Sequence, residues 1–323
     1  MMQFEPFVCD HAAFLTGRRP WEVSRDRNLL FEAQKTAIQR YRLKLCVVGI
    51  DIYNAEAEAL GCVVEKPEGD NSPAIFHPLY SSINAIHDLQ FDPEKDGRLP
   101  MIMAAAVRLK EQFPDCDVRV PLCGPFSLAG HLLGIENLLY EAADETELAK
   151  EKLLYLAEIL IRYVRAIYSR NLKATIFEST AAPPLLSLPL FQALAAPALR
   201  RMFEKSFPFI GENPALIMGG NTLPILDSIL ALKPQYIICP FETNQEEFVR
   251  KSRNVKNTRI RINMNPAVFL DDTPEKALAE AKRVSAMASG LENSSVGLLL
   301  PFAAAPNVVV AVSEFVAAQP KAD

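Results

Sequence analysis

Residues 44–61 read KLCVVGIDIYNAEAEALG. The run 45–50 is apolar without alternation, which is the pattern of a strand buried on both faces, as in a parallel sheet. It stops at Asp51 and gives way to a polar turn with Tyr53, Asn54, Glu56 and Glu58. An acid at the carboxyl end of a buried parallel strand stands where α/β barrels keep their chemistry. The plainer reading of Asp51 is as a cap on the helix that follows.

The pattern recurs along the chain. Stretch 117–122 runs into CGPFSLAG at 123–130, and 173–177 ends in Glu178, Ser179 and Thr180. Stretch 214–218 ends in GGNT at 219–222, and 236–239 ends in PFETN at 240–244, with Glu242. Stretch 259–262 ends in NMNP at 263–266, and 295–300 ends in PFAAAP at 301–306. Helical spacing fills 26–41, 101–113, 141–170, 190–206 and 307–318, and GRRPW at 17–21 reads as a loop. Seven strands alternating with helices, and an irregular start able to supply an eighth, predict an α/β fold, a (β/α)8 TIM barrel occupying 1–323 as one domain. No GxGxxG follows a first strand and no GxxxxGK[ST] occurs, which lowers the odds of a nucleotide-binding sheet. The turn-rich segment 66–99 is long for a connection and reads as an insertion or a lid.

Polar groups gather at the predicted strand ends. Asp51 and Glu178 are the candidate catalytic acids, able to exchange protons if burial raises one carboxyl pKa. Asn54, Cys123, Ser127, Asn221, Thr222, Glu242, Asn263 and Asn265 are candidates for binding substrate. Ser127 and the amides after Gly124 and Pro125 open a helix, where unpaired N–H groups hold anions. The alternative for each asparagine is turn chemistry, and for Ser127 helix initiation.

Composition narrows the classes. The chain has 323 residues, 50% hydrophobic and 23% charged, with a formal net charge of −5. The absence of a basic cluster argues against nucleic-acid partners. No apolar run approaches the roughly 20 residues of a membrane helix, and no signal peptide is visible. The six cysteines (Cys9, Cys46, Cys62, Cys116, Cys123 and Cys239) have no CxxC spacing and read as reduced cytoplasmic thiols.

The strand-end motifs, in this order and spacing, resemble the uroporphyrinogen decarboxylase superfamily over most of the chain. VVGIDI with ALG at 59–61 resembles the strand carrying that family's aspartate. LCGPFSLA resembles its glycine–proline–phenylalanine turn. IFES with LLS at 185–187 resembles a segment that usually has Asp at the Glu178 position, and NMNP resembles a GNxDP loop. The resemblance implies a (β/α)8 barrel of one of two branches. One decarboxylates a tetrapyrrole without metal. The other moves methyl groups between a corrinoid and a thiol, with zinc activating the thiol.

The sequence departs from both branches. The decarboxylase's arginine-rich start is not matched by Arg18 and Arg19, and PFAAAP lacks its histidine. Zinc-ligand positions of the other branch fall on Ile217, Met218 and Gly219 and near Phe302–Ala304, so no zinc is expected. Its four histidines (His11, His77, His87 and His131) stand near no cysteine at ligand spacing. The favoured expectation is a methyltransferase-like enzyme using a corrinoid or related methyl donor, with no tightly bound cofactor. An asparagine-rich, arginine-poor mouth suits the amide side chains of a corrinoid. Genuine uroporphyrinogen decarboxylation would need Arg18, Arg19, Arg259 and Arg261 to converge on Asp51. A non-catalytic tetrapyrrole- or corrinoid-binding protein is the third reading. A corrinoid protein as partner and a homodimer are both compatible with the resemblance.

Overall fold

The computed structural model describes residues 2–319. Seven strands appear in the expected order: β1 Leu45–Val47, β2 Asp117–Cys123, β3 Lys173–Phe177, β4 Ala215–Ile217, β5 Tyr236–Cys239, β6 Arg259–Asn263 and β7 Ser294–Gly297. All pairings are parallel, β1-β2-β3-β4 in one ladder and β5-β6-β7 in another. Gln235 N–H donates to the Pro214 carbonyl (3.3 Å) between β5 and β4. The N-terminal stretch takes the eighth place. Phe4 and Phe7 bridge in parallel to Val296 and Leu299, and Phe7 N–H donates to the Leu298 carbonyl at 2.8 Å. Gly297 makes this possible, because a Cβ there would run into the Glu5 carbonyl and the Arg261 side chain.

The sheet therefore curls into an α/β barrel, as the strand pattern predicts. Its interior is filled by Phe7, Leu45, Val47, Phe177, Ala215, Ile217, Tyr236 and Ile238, in the manner of a packed barrel core. Helices pack outside. The largest are Arg27–Tyr41, Leu99–Gln112, Thr146–Tyr168, Ala196–Ile210, Glu275–Ala288 and Pro306–Ala317. None is long and apolar enough to cross a membrane among the described residues.

Three expectations need correction. Residues 17–21 are only partly loop, since Pro20 opens the helix Pro20–Arg25; its fixed φ and missing N–H suit a first helical position. The single helix expected at 141–170 is two, Ile135–Asp144 and Thr146–Tyr168, broken at Glu145. The helix expected at 190–206 is a π-turn at Phe191–Ala195 followed by Ala196–Ile210.

Segment 66–99 is anchored rather than free. It buries Ile83, Ile86, Leu89 and Phe91. Its backbone bonds to the outer helices, Ile83 N–H donating to Glu141 Oε2 (2.7 Å) and Leu89 N–H to the Tyr155 hydroxyl oxygen (2.7 Å). Its first part pairs Glu65 with Ala74 at the barrel mouth.

Candidate active site

The chain leaves β1 through Gly49 and Ile50 and places Asp51 beneath the mouth with its carboxylate 2% exposed. Arg98, at the far end of the 66–99 segment, grips it with two bonds: Nη1 to Oδ1 at 2.6 Å and Nη2 to Oδ2 at 2.7 Å. Parallel N–H···O bonds of this kind are both strong and directional. Asn54 Nδ2 donates to Asp51 Oδ2 (3.2 Å) and to the Pro73 carbonyl (2.7 Å), tying the segment across the mouth to the acid. Arg98 uses two further donors on Glu58 and the Ser24 carbonyl. Asp51 thus caps no helix, and its charge is matched by a cation that the β1 motif gives no hint of.

Above Asp51 lies a cavity of about 550 Å³. Its polar wall is Cys9, Asp10, Asp51, Tyr53, Asn54 and Ser72; its apolar wall is Ile50, Ile52, Pro73, Pro266 and residues 299–302. These residues follow the carboxyl ends of the N-terminal stretch, β1, β6 and β7, which is where a barrel builds its site. Among the described residues, no lysine or arginine lines it. Tyr53 extends the site toward β3, donating from its hydroxyl to Ser179 Oγ (2.7 Å), which also accepts from Gly219 N–H (2.9 Å).

Asp10 accepts from Ser72 Oγ at Oδ2 (2.7 Å), while its Oδ1 is buried with no hydrogen-bond partner. Burial pushes its pKa up; the Ser72 bond opposes this and Asp51 adds to it. Cys9, just before it, holds φ +30°, and burial pushes its thiol pKa far up.

The family model described as uroporphyrinogen decarboxylase (URO-D) matches residues 1–316. The chain belongs to the uroporphyrinogen decarboxylase family. A methyltransferase from Methanosarcina mazei has a similar solved structure, with a TM-score of 0.79, 18% identity, and coverage of 97% of this chain and 94% of that one. At that identity the likeness speaks for the fold. The methylated-thiol–coenzyme M methyltransferase of Methanosarcina mazei is 26% identical over 155 residues. That match covers 46% of this chain and 41% of the relative, so the chain spans under half the length of the curated relative it matches.

Within the family, the zinc positions of the thiol-activating branch can be checked against the residues present. Ile217 and Met218 are buried at the end of β4, and Gly219 follows. None offers an imidazole or a thiolate. Among the described residues, no group of three or more His, Cys, Asp and Glu is placed to hold a metal ion. The side chains do not fit a catalytic zinc there.

The other candidates fall outside the cavity. Glu178 is fully buried and accepts from Phe126 N–H (3.1 Å) and Ser127 N–H (2.7 Å). Desolvation raises its pKa to about 7 against the pull of these bonds. The anion held at the start of the helix Pro125–Leu133 is therefore this carboxylate, not a ligand, and Gly124 has no room for a Cβ beside it. Ser127 Oγ shares a 2.6 Å bond with Thr180 Oγ1. Cys123 is buried, with its N–H donating to Glu56 Oε1 (3.1 Å). Asn221 is exposed and accepts from Thr243 Oγ1 (2.8 Å), Thr222 is buried, and Glu242 is exposed. Asn263 accepts from Arg261 Nε (2.9 Å), and Asn265 caps the turn Pro266–Phe269 through Ala267 N–H. Of the ten candidates, the cavity takes only Asp51 and Asn54. The sequence reading missed Asp10, Tyr53 as a lining residue, Ser72 and Arg98. A hint of Asp10 was present, since it is an acid that follows the N-terminal stretch as Asp51 follows β1.

Proposed function

We propose that this protein is a methyltransferase-like member of its family that moves a methyl group from a corrinoid or related donor to a small thiol, without zinc. The observation that carries the reading is the cation-free cavity. Among the described residues, the guanidinium bonded to Asp51 is that of Arg98, and it is already committed to Asp51 and Glu58. A substrate bearing many carboxylates would meet acids and aliphatic carbon there and no cation to pair with. A methyl group and a neutral thiol suit that wall. The thiol-methyltransferase relative and the fold shared with a methyltransferase support the same reading.

In this reading Asp51 is a positioned acceptor. Arg98 and Asn54 fix its orientation, so an N–H or O–H of the incoming molecule meets it without reorganisation cost. The arc 299–302 gives the methyl group in transit an apolar wall. Glu178 serves the scaffold by holding the helix that follows β2.

The test is to mix the protein with methylcobalamin and small thiols and follow loss of the methylcobalamin absorbance, with a parallel fluorescence assay for coproporphyrin from uroporphyrinogen. Thiol-dependent demethylation with no porphyrin product is expected. Coproporphyrin formation, or no demethylation with any thiol, would defeat the proposal.

A further inference from the structure

Asp51 is held by Arg98 and Asn54, and the cavity has a second carboxylate, Asp10, that no cation holds among the described residues. Asp10 lines the cavity, has one oxygen oriented by Ser72, and leaves Oδ1 buried and unpartnered. A buried carboxylate oxygen without a donor disfavours the charged form of the acid and so makes it readier to take a proton. The residue before it, Cys9, is a non-glycine in the left-handed region, a conformation whose strain is found at functional sites.

We infer that Asp10 is the general base of this site, the group that takes the proton from the acceptor as it attacks the methyl group. This rests on the methyl-transfer reading. The acceptor sulfur's lone pair forms the bond to the methyl carbon. The bond from that carbon to the donor breaks, its electron pair leaving with the donor. The S–H proton passes to the Asp10 carboxylate, so charge and atoms balance with no metal bearing on the thiol. Zinc would otherwise supply this activation, and the positions where the family resemblance places its ligands hold Ile217, Met218 and Gly219. A thiol is the acceptor whose acidity a carboxylate can meet; an alkyl hydroxyl is far too basic when ionised.

The groups facing Asp10 set its strength. Burial favours its proton, Ser72 favours its charge, and Asp51 adds a smaller push toward the protonated form. Cys9 stands beside it with a thiol that burial keeps protonated. Arg98 is turned to Asp51. The balance leaves Asp10 more basic than an ordinary aspartate, as a base requires.

The experiment is methyl transfer from methylcobalamin to 2-mercaptoethanol by wild type, Asp10→Asn, Asp10→Glu and Ser72→Ala, from about pH 5 to 9 so that the usual carboxylate range and above are spanned. Asp10→Asn should lower kcat about 100-fold or more with KM changed little, the size of a lost general base. Asp10→Glu should recover part of that. Ser72→Ala removes a bond to the charged form, so the acid limb of the rate should move to higher pH. If wild type transfers methyl and Asp10→Asn matches it in rate and pH profile, the inference is wrong. If Asp10→Asn fails to fold, an unmoved acid limb in Ser72→Ala overturns it equally. A wild type that transfers no methyl group overturns the functional reading beneath it.

Discussion

Removing Arg98 leaves Asp51 as a charge with 2% exposure and a single neutral hydrogen-bond partner, Asn54. Arg98→Met keeps most of the side-chain volume and deletes both bonds, at 2.6 and 2.7 Å. Breaking a buried pair from one side costs about 3–5 kcal/mol, because the remaining charge is uncompensated. Glu58 loses a partner too but keeps Arg25, and it is more exposed, so it adds little. Asp51→Asn should cost less, about 1.5–3 kcal/mol, since Arg98 retains Glu58. The double variant should be more stable than Arg98→Met alone. Urea denaturation at neutral pH measures all three. An Arg98→Met protein within about 0.5 kcal/mol of wild type, or additive losses in the double variant, would refute the reasoning.

Glu56 is fully buried, and desolvation raises its pKa to about 8; Glu178 rises to about 7. Both folded values lie above the unfolded one of roughly 4.3, so both contributions are complete below that pH and are lost as pH climbs toward 8. Stability of the wild type should fall over that window, and Glu56→Gln should flatten the fall by about 2–4 kcal/mol in denaturant titrations taken across it. Gly124→Ala places a methyl group against the Glu178 carboxyl. It should cost about 3 kcal/mol, and hydrogen exchange at the Phe126 and Ser127 amides should speed up as their acceptor is displaced; unchanged exchange there would contradict the contact.

The barrel was legible in the sequence because its signal is local. Strands such as 45–50 and 236–239 must be apolar on both faces once helices cover the sheet, and each announces itself without reference to any other. The first strand observed is shorter, Leu45–Val47, yet it pairs in parallel with β2, as a barrel requires. Asp51 was legible for the same reason, because a charge that ends an apolar run stands out. The helix break at Glu145 was not, since nothing in the 141–170 periodicity marks it and tertiary packing decides where the two pieces turn.

The site depended on distance in sequence. Asp51 meets Arg98 across 47 residues, and Asp10 meets Ser72 across 62. No local pattern encodes either pair, for an arginine at the end of a turn-rich segment looks like any solvated charge. Glu178 shows the converse: its position at a strand end was read correctly, but its carboxylate turns inward to the Phe126 and Ser127 amides. The sequence by itself determined the order of strands and where acids follow them. Only the tertiary structure decided which acids face open space and which are spent on the scaffold, because hydrogen-bond partners are chosen by proximity after folding and not by neighbours along the chain.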